Sequence, residues 1–160
     1  MIEPKKDREI EPELLYALGQ VVVSWSAIEA IIAEFLSFML AANPAHMYVL
    51  NQTTSVEMQS KWIRTLIEIR VPDQSDKDEL ENLFKEFDEV RRDRNAIVHG
   101  LWSTRCEPGA VLVQTMRLDR AEIAREELVT RADLDELIDR IGELRAEFSR
   151  IGKFCGFLPR

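Results

Sequence analysis

The sequence predicts an all-α protein: a four-helix, mainly antiparallel bundle with one short β-hairpin before the last helix. Four segments repeat apolar residues three and four positions apart, which is the period of an α-helix. Between the third and fourth segments, β-prone residues surround a Pro-Gly pair. The 160 residues, 46% of them hydrophobic, are enough to bury a core. We therefore expect a single domain over residues 1–160.

The first helix is predicted over residues 12–42, after a Glu-Pro-Glu sequence that suits a helix start. Residues 21–42 have the length of a membrane span, but Glu29 and Glu34 would each cost about 2.5 to 3 kcal/mol near the bilayer centre. A helix covered by its own bundle or by a second subunit is the better interpretation. We expect no membrane partner, and the charged N-terminus lacks the apolar core of a signal peptide, so a cytoplasmic location is predicted.

Capping boxes mark the predicted starts of the second and third helices. Thr54 with Glu57 opens the second helix, and Ser75 with Asp78 opens the third in the same way. Gly100 lies at the predicted end of the third helix. A short segment without an assigned helix is expected between the first and second helices.

The hairpin is predicted over residues 102–117, and its central Pro-Gly pair specifies a type II turn. An irregular or briefly helical stretch is expected over residues 119–129. Thr130 with Asp133 then caps the last helix.

The net charge of -8 argues against a protein that grips duplex DNA over a broad surface, so no DNA partner is expected. The charge is unevenly distributed: residues 73–89 hold eight acids and two bases, and Arg91, Arg92 and Arg94 follow at once. Acids early and bases late stabilise any helix, which accounts for Arg92. The other two arginines favour a local site for an anionic ligand.

The two cysteines cannot form a disulfide framework, so a reducing compartment is expected. His46, His99, Cys106 and Cys155 lack the spacing of a zinc site. We therefore expect neither a metal nor a cofactor. A nucleophilic Cys106 with His99 as its base is an alternative, although a single thiol in a hairpin is more often inert.

Two charged residues occupy positions where the pattern predicts apolar side chains. Arg94 lies on the apolar stripe of the third helix, and Glu29 lies on the apolar first helix. A buried guanidinium must reach water, pair with a carboxylate or meet another chain, because burying it without partners is costly. We expect Arg94 and Glu29 to face one another or to share a cleft. They could instead form a buried ion pair that only fixes the helix register.

A second row, Arg91, Asn95 and His99, runs beside Arg94 at a spacing of four and therefore on one helix face. Arg94 and His99 are separated by roughly 140° around the axis, so their tips can meet only because arginine is long. An amide, a guanidinium and an imidazole together can bind phosphate, stabilise negative charge and move a proton. A lone histidine at a helix end is more often a cap, so this prediction depends on the cluster.

The segment from Arg91 to Gly100, RRDRNAIVHG, resembles the signature of the HEPN superfamily, in which four to six residues separate an arginine from a histidine. The resemblance implies a metal-independent endoribonuclease, commonly a homodimer whose two Arg-His pairs share one active-site cleft. In that scheme the RNA 2′-hydroxyl attacks the adjacent phosphorus. His99 then transfers a proton, Arg94 stabilises the phosphoryl oxygens, and Asn95 orients the phosphate or the ring. Glu29 and Arg91 are the expected supporting residues.

Many HEPN proteins are toxins or antiviral effectors, so the resemblance also implies an antitoxin protein as a partner. Some members carry a modifiable tyrosine two residues beyond the histidine, where this chain has Leu101, so control by that modification is not expected. The superfamily also contains non-catalytic modules. The alternative is therefore a dimeric helical module that binds a nucleotide or a protein partner.

Overall fold

A computed structural model describes residues 9–104, 107–117 and 122–155. Five helices and three strands follow one another in it: α1 (Pro12–Leu40), α2 (Pro44–Thr53), α3 (Val56–Arg70), α4 (Gln74–His99), β1 (Leu101–Ser103), β2 (Ala110–Arg117), β3 (Glu122–Thr130) and α5 (Arg131–Cys155). The mainly helical character and a hairpin before the last helix are confirmed. The count of four helices is wrong for the described residues, because α2 is an additional helix, and β3 extends the hairpin to a three-stranded sheet.

The additional helix α2 begins where the sequence predicted only the end of α1. Asn43 is its N-cap, with the side-chain oxygen accepting a hydrogen bond from the backbone N–H of His46 at 3.0 Å, and Pro44 occupies the first turn. Asparagine followed by proline is a helix-start signal as well as a stop signal. α1 itself ends at Leu40, where Ala41 takes a left-handed φ of 51°.

The caps of α3 and α4 differ from the predicted ones by one or two residues. Ser55 caps α3 by accepting from the backbone N–H of Met58 at 3.2 Å, whereas Thr54 is the C-cap of α2. Asp73 caps α4 by accepting from the backbone N–H groups of Ser75 and Asp76 at 2.8 and 3.2 Å. In both places two capping residue types stand close together, and the sequence does not distinguish them.

The described residues divide into two compact units. The sheet unit contains residues 9–23 with Val90–Arg140, and the aromatic unit contains Ser24–Glu89 with residues 141–155. The division falls inside α1, α4 and α5. The single domain predicted over residues 1–160 stays a prediction.

A cluster of aromatic rings forms the core of the aromatic unit. Trp25 stacks on Phe87 with ring centroids 5.5 Å apart, and Phe84 meets Phe148 edge to face at 5.4 Å. These contacts join α1, α4 and α5 within this unit. The other residues of its buried core are Ile28, Ile32, Phe35, Leu36, Met39, Met47, Ile63, Ile67, Leu80, Leu83, Ile141, Leu144 and Ile151.

The sheet unit is built on β2, which pairs antiparallel with β1 on one side and with β3 on the other. The turn before β2 is the predicted one: Gly109 has a φ of 81°, as the third residue of a type II turn requires, and the backbone N–H of Ala110 donates to Glu107 at 3.4 Å. The backbone N–H of Gly109 also donates to the Glu11 carboxylate at 2.9 Å.

The strand β3 replaces most of the stretch that was expected to be irregular, and residues 119–121 of that stretch lie outside the described residues. β3 is rich in charged residues with low strand propensity, and its strand form follows from pairing with β2, where buried Val129 lies opposite buried Val111. The predicted capping box after β3 is confirmed. The Thr130 hydroxyl accepts from the Asp133 N–H at 3.3 Å, and the Asp133 carboxylate accepts from the Thr130 N–H at 2.7 Å.

α1 is long and apolar enough to cross a membrane by length and composition, and a third of its most apolar window is buried. The exposed positions on this helix include both of its internal acids, Glu29 and Glu34. Large apolar side chains are exposed on it as well: Leu15, Tyr16, Val22, Val23, Phe38 and Leu40.

Candidate functional site

The side chains of Arg94, Asn95 and His99 meet at the C-terminal end of α4. Nη1 of Arg94 lies 3.3 Å from Nε2 of His99 and donates a hydrogen bond to Oδ1 of Asn95 at 3.0 Å. The guanidinium therefore crosses the helix ridge toward the imidazole, as expected from the length of the arginine side chain. Three of the predicted site residues form one contact group.

The contact with Arg94 favours one tautomer of His99. A guanidinium has five N–H donors and no acceptor, so Nε2 of His99 must accept the hydrogen bond. A hydrogen bond from Arg94 therefore requires the tautomer that carries its proton on Nδ1. A ligand that draws the Arg94 guanidinium away frees the lone pair of Nε2 to take a proton.

The site is open to solvent. His99 is exposed, whereas Arg94, Asn95 and Arg91 are half-buried. Arg94 lies on the predicted apolar stripe and is partly accessible, so contact with water, one of the three alternatives expected for its side chain, is available to it. Arg91 lies one helical turn before Asn95 on the same row.

Glycine at position 100 lets β2 approach the end of α4. A Cβ atom there would lie 2.4 Å from Cγ1 of Val113 and 2.6 Å from the carbonyl oxygen of Ala96. Both distances are far below van der Waals contact. The turn that carries His99 is therefore packed directly against the sheet.

Trp102 holds the same turn from the first strand. Its indole Nε1 donates to the carbonyl oxygen of Ile97 at 2.8 Å, which satisfies one of the four carbonyls left open at a helix C-terminus. Trp102 was predicted to lie in the hairpin, with no role at the site. The signal that could have found it is an indole donor within one turn of the end of a helix.

Glu29 is exposed, so the expected problem of a buried carboxylate does not arise. Its Oε1 accepts a hydrogen bond from Nε1 of Trp25 at 2.9 Å. Glu29 belongs to the aromatic unit and Arg94 to the sheet unit. Their pairing stays a prediction.

Within the part of the chain that the structure describes, no group of three or more His, Cys, Asp and Glu side chains is placed to hold a metal ion. His46 is exposed on α2. The alternative nucleophile Cys106 lies outside the described residues.

No protein-family model, curated protein or solved structure matches this chain significantly. An exposed imidazole beside a guanidinium and an amide can bind a phosphodiester and transfer a proton at it.

Proposed function

We propose that this chain is a metal-independent, cytoplasmic endoribonuclease of the HEPN type. The observation that carries the proposal is the 3.3 Å approach of Arg94 Nη1 to His99 Nε2 on a solvent-exposed helix end. The signature residues of the resemblance are thus within reach of one phosphate. The HEPN bundle architecture is part of this proposal.

In the proposed reaction the RNA supplies its own nucleophile. The 2′-oxygen forms a bond to the adjacent phosphorus, and the bond from phosphorus to the 5′-oxygen breaks. The products are a 2′,3′-cyclic phosphate and a 5′-hydroxyl. No bound water or external oxidant takes part, so the protein has to bind the phosphate, stabilise its charge and move protons.

The phosphate would change the contacts of Arg94. A phosphoryl oxygen competes with the neutral imidazole for the guanidinium, and the charge-assisted hydrogen bond to phosphate is the stronger one. Nε2 of His99 is then free to accept the proton of the 2′-hydroxyl, and the protonated imidazole returns this proton to the departing 5′-oxygen, which leaves as the 5′-hydroxyl. Asn95, already bound to Arg94, would keep the guanidinium oriented.

Glu29 and Arg91 are proposed as supporting residues. Arg91 adds positive charge on the row of Asn95 and His99, where it can attract the RNA backbone. A carboxylate at Glu29 would orient Arg94 where the two meet in a shared cleft.

A homodimer with a shared active-site cleft is part of the proposal. The exposed apolar side chains of α1 support it, since Tyr16 and Val23 are 65% and 73% exposed. Burial against a second copy would remove this apolar surface from water. An antitoxin that blocks the cleft is the proposed regulatory partner.

The second candidate is a non-catalytic dimeric module that binds a nucleotide or a protein partner. The observation that favours it is the contact of Arg94 with Nε2 of His99. While this contact persists, Nε2 cannot accept a proton, so the three side chains can bind a phosphate without any proton transfer. Saturable binding of a mononucleotide by a wild-type protein that leaves RNA intact would favour this candidate.

The substrate chemistry tests the ribonuclease proposal. Wild-type protein should cleave a single-stranded RNA and leave products with 2′,3′-cyclic phosphate and 5′-hydroxyl ends, as read by mass spectrometry. A matched strand with one 2′-deoxynucleotide at the mapped scission site should stay intact there. Equal cleavage of the deoxy-substituted strand would exclude attack by the 2′-hydroxyl.

A further inference from the structure

We propose that the sheet unit carries a docking site for an extended, basic segment of a partner protein. The site consists of the outer edge of β3 and the cleft beside it. The segment would pair with β3 as a fourth strand and place a lysine or arginine side chain in the cleft. This inference does not depend on the proposed ribonuclease function.

β3 is an edge strand. The sheet order is β1-β2-β3, so β2 lies on one side of β3 and no strand of the described residues lies on the other. The outward N–H and C=O groups of an edge strand are a template for pairing with another chain, and proteins commonly block such edges with lysine, proline or a bulge. β3 contains neither lysine nor proline, and its charged residues are three glutamates and one arginine, so its edge repels acidic strands and attracts basic ones. The irregularity in its pairing lies at Thr115 and Met116, away from its C-terminal half.

The cleft lies between β3, α4 and α5 and has a volume of about 230 Å³. Ile97, Leu137 and Val129 supply its apolar walls, and each is buried. Pockets for small-molecule ligands have volumes of about 300 to 1,000 Å³, so this cleft is better matched to one long side chain.

The polar lining of the cleft is acidic. It holds four carboxylates and two guanidiniums, a net charge of -2: Asp93, Glu127, Asp133, Glu136, Arg125 and Arg140. Both guanidiniums bind carboxylates, since Arg140 contacts Asp93 at 2.8 Å and Arg125 contacts Glu127 at 2.6 Å. Negative charge therefore remains toward the rim.

The best-matched occupant is a cation on an apolar stem. Lysine and arginine bury their methylene groups against apolar walls while the charged head reaches carboxylates. When a peptide adds to a sheet edge, main-chain hydrogen bonds give affinity, and pockets for alternate side chains give specificity. The open edge and the acidic cleft together select a strand with basic residues at alternate positions.

The docking site is separate from the Arg94–His99 pair. Asp93 and Ile97 face the cleft. At 3.6 residues per turn, the direction midway between Arg94 and His99 is rotated by roughly 150° around the axis of α4 from the direction midway between Asp93 and Ile97. A partner in the cleft would leave the Arg94–His99 side of the helix accessible.

The test uses a fluorescein-labelled peptide of alternating lysine and valine, with the full-length protein at about 0.15 M salt. Fluorescence anisotropy should show saturable binding. Two control peptides should not bind: alternating glutamate and valine, and the lysine-valine sequence with alternate backbone amides N-methylated. Equal binding of the N-methylated peptide, or no binding of the unmodified one, would overturn the proposal.

Variants locate the binding. Glu136→Gln should lower the affinity for the lysine-valine peptide about 2- to 5-fold, which is the effect of removing one exposed ion pair. Glu86→Gln is the matched control, because Glu86 is an exposed acid of α4 that lies outside both β3 and the cleft. His99→Ala should bind the peptide like the wild type. An equal loss with Glu86→Gln would show non-specific attraction and contradict the assigned site.

Discussion

At the residue scale, the structure brings together side chains that are five positions apart on one helix. Arg94 and His99 point in different directions around α4, and the long arginine side chain crosses the ridge to lie 3.3 Å from the imidazole. Asn95 binds the same guanidinium nitrogen at 3.0 Å. The site is therefore preformed within a single turn and a half of helix, and it rests on how that turn is held.

Gly100 holds this turn through the absence of a side chain. Gly100→Ala would force a Cβ atom against Val113 and the carbonyl of Ala96, so we expect the free energy of unfolding to fall by about 1 to 3 kcal/mol. Gly142→Ala is the control, because nothing lies within 4 Å of its added Cβ in the interior of α5. It should raise the free energy by about 0.5 to 1 kcal/mol. Urea unfolding measures both changes. A free energy of unfolding for Gly100→Ala equal to that of the wild type would show that the close packing at Gly100 does not stabilise the fold.

At the element scale, the long helices could be predicted because their apolar periods are clear over many turns. The end of α4 at Gly100 and the Thr130–Asp133 capping box were also predictable, because a glycine and a paired cap have strong local preferences. α2 and β3 were missed for different reasons. The start of α2 coincides with the stop signal of α1, and β3 becomes a strand through its pairing with β2 rather than through local propensity.

The site was predictable only as far as it depends on the regular geometry of one helix. The spacing of Arg94, Asn95 and His99 on one helix could be obtained from the sequence. The contact of Trp102 with Ile97 could not, because it depends on how β1 turns back beside the helix end. The exposure of Glu29 also depends on tertiary packing that no helical pattern contains.

The capping box of α5 predicts a pH dependence. Hydrogen bonds from the hydroxyl and backbone N–H of Thr130 hold the pKa of Asp133 below its ordinary value of 3.8. Because the pKa of Asp133 is lower in the folded than in the unfolded state, the ionised carboxylate stabilises the fold at pH values above the unfolded pKa. This contribution is lost as the pH falls through the folded pKa. Asp133→Asn should lower the free energy of unfolding by about 0.5 kcal/mol at neutral pH, a small effect because the carboxylate is exposed.

Chemical denaturation at several pH values measures this effect. The difference between wild type and Asp133→Asn should narrow as the pH falls from about 4 to about 2. Asp139→Asn, an exposed acid on the same helix, is the control and should show a smaller difference at neutral pH. A difference for Asp133→Asn that stays constant with pH would mean that the ionised cap does not stabilise α5.

At the scale of the whole molecule, the net charge of -8 and the proposed RNA substrate are compatible because the charges are segregated. Acids concentrate in the first part of α4, whereas its second part carries Arg91, Arg92 and Arg94, with only Asp93 between them. The net charge therefore argues against binding to duplex DNA through a broad basic surface, and it is compatible with a local phosphate-binding site.

The proposed homodimer predicts that the exposed face of α1 controls the oligomeric state. Wild-type protein should sediment with twice the mass of one chain. Val23→Lys should shift it toward the monomer, since a charge would have to be buried in the interface. Ile69→Lys is the matched control, because Ile69 lies on α3 and both side chains are 73% exposed. A wild-type monomer, or a dimer unaffected by Val23→Lys, would contradict the role proposed for this face.

The most direct test of the central claim is the rate of RNA cleavage by purified variants in excess chelator. Wild-type protein should cleave a single-stranded RNA, and Arg94→Ala and His99→Ala should each reduce the rate by about 100-fold or more. Arg92→Ala, an exposed arginine on the same helix, should retain the wild-type rate, with circular dichroism confirming that all variants fold. Cleavage by His99→Ala at the wild-type rate, or no cleavage by the wild type, would contradict the account.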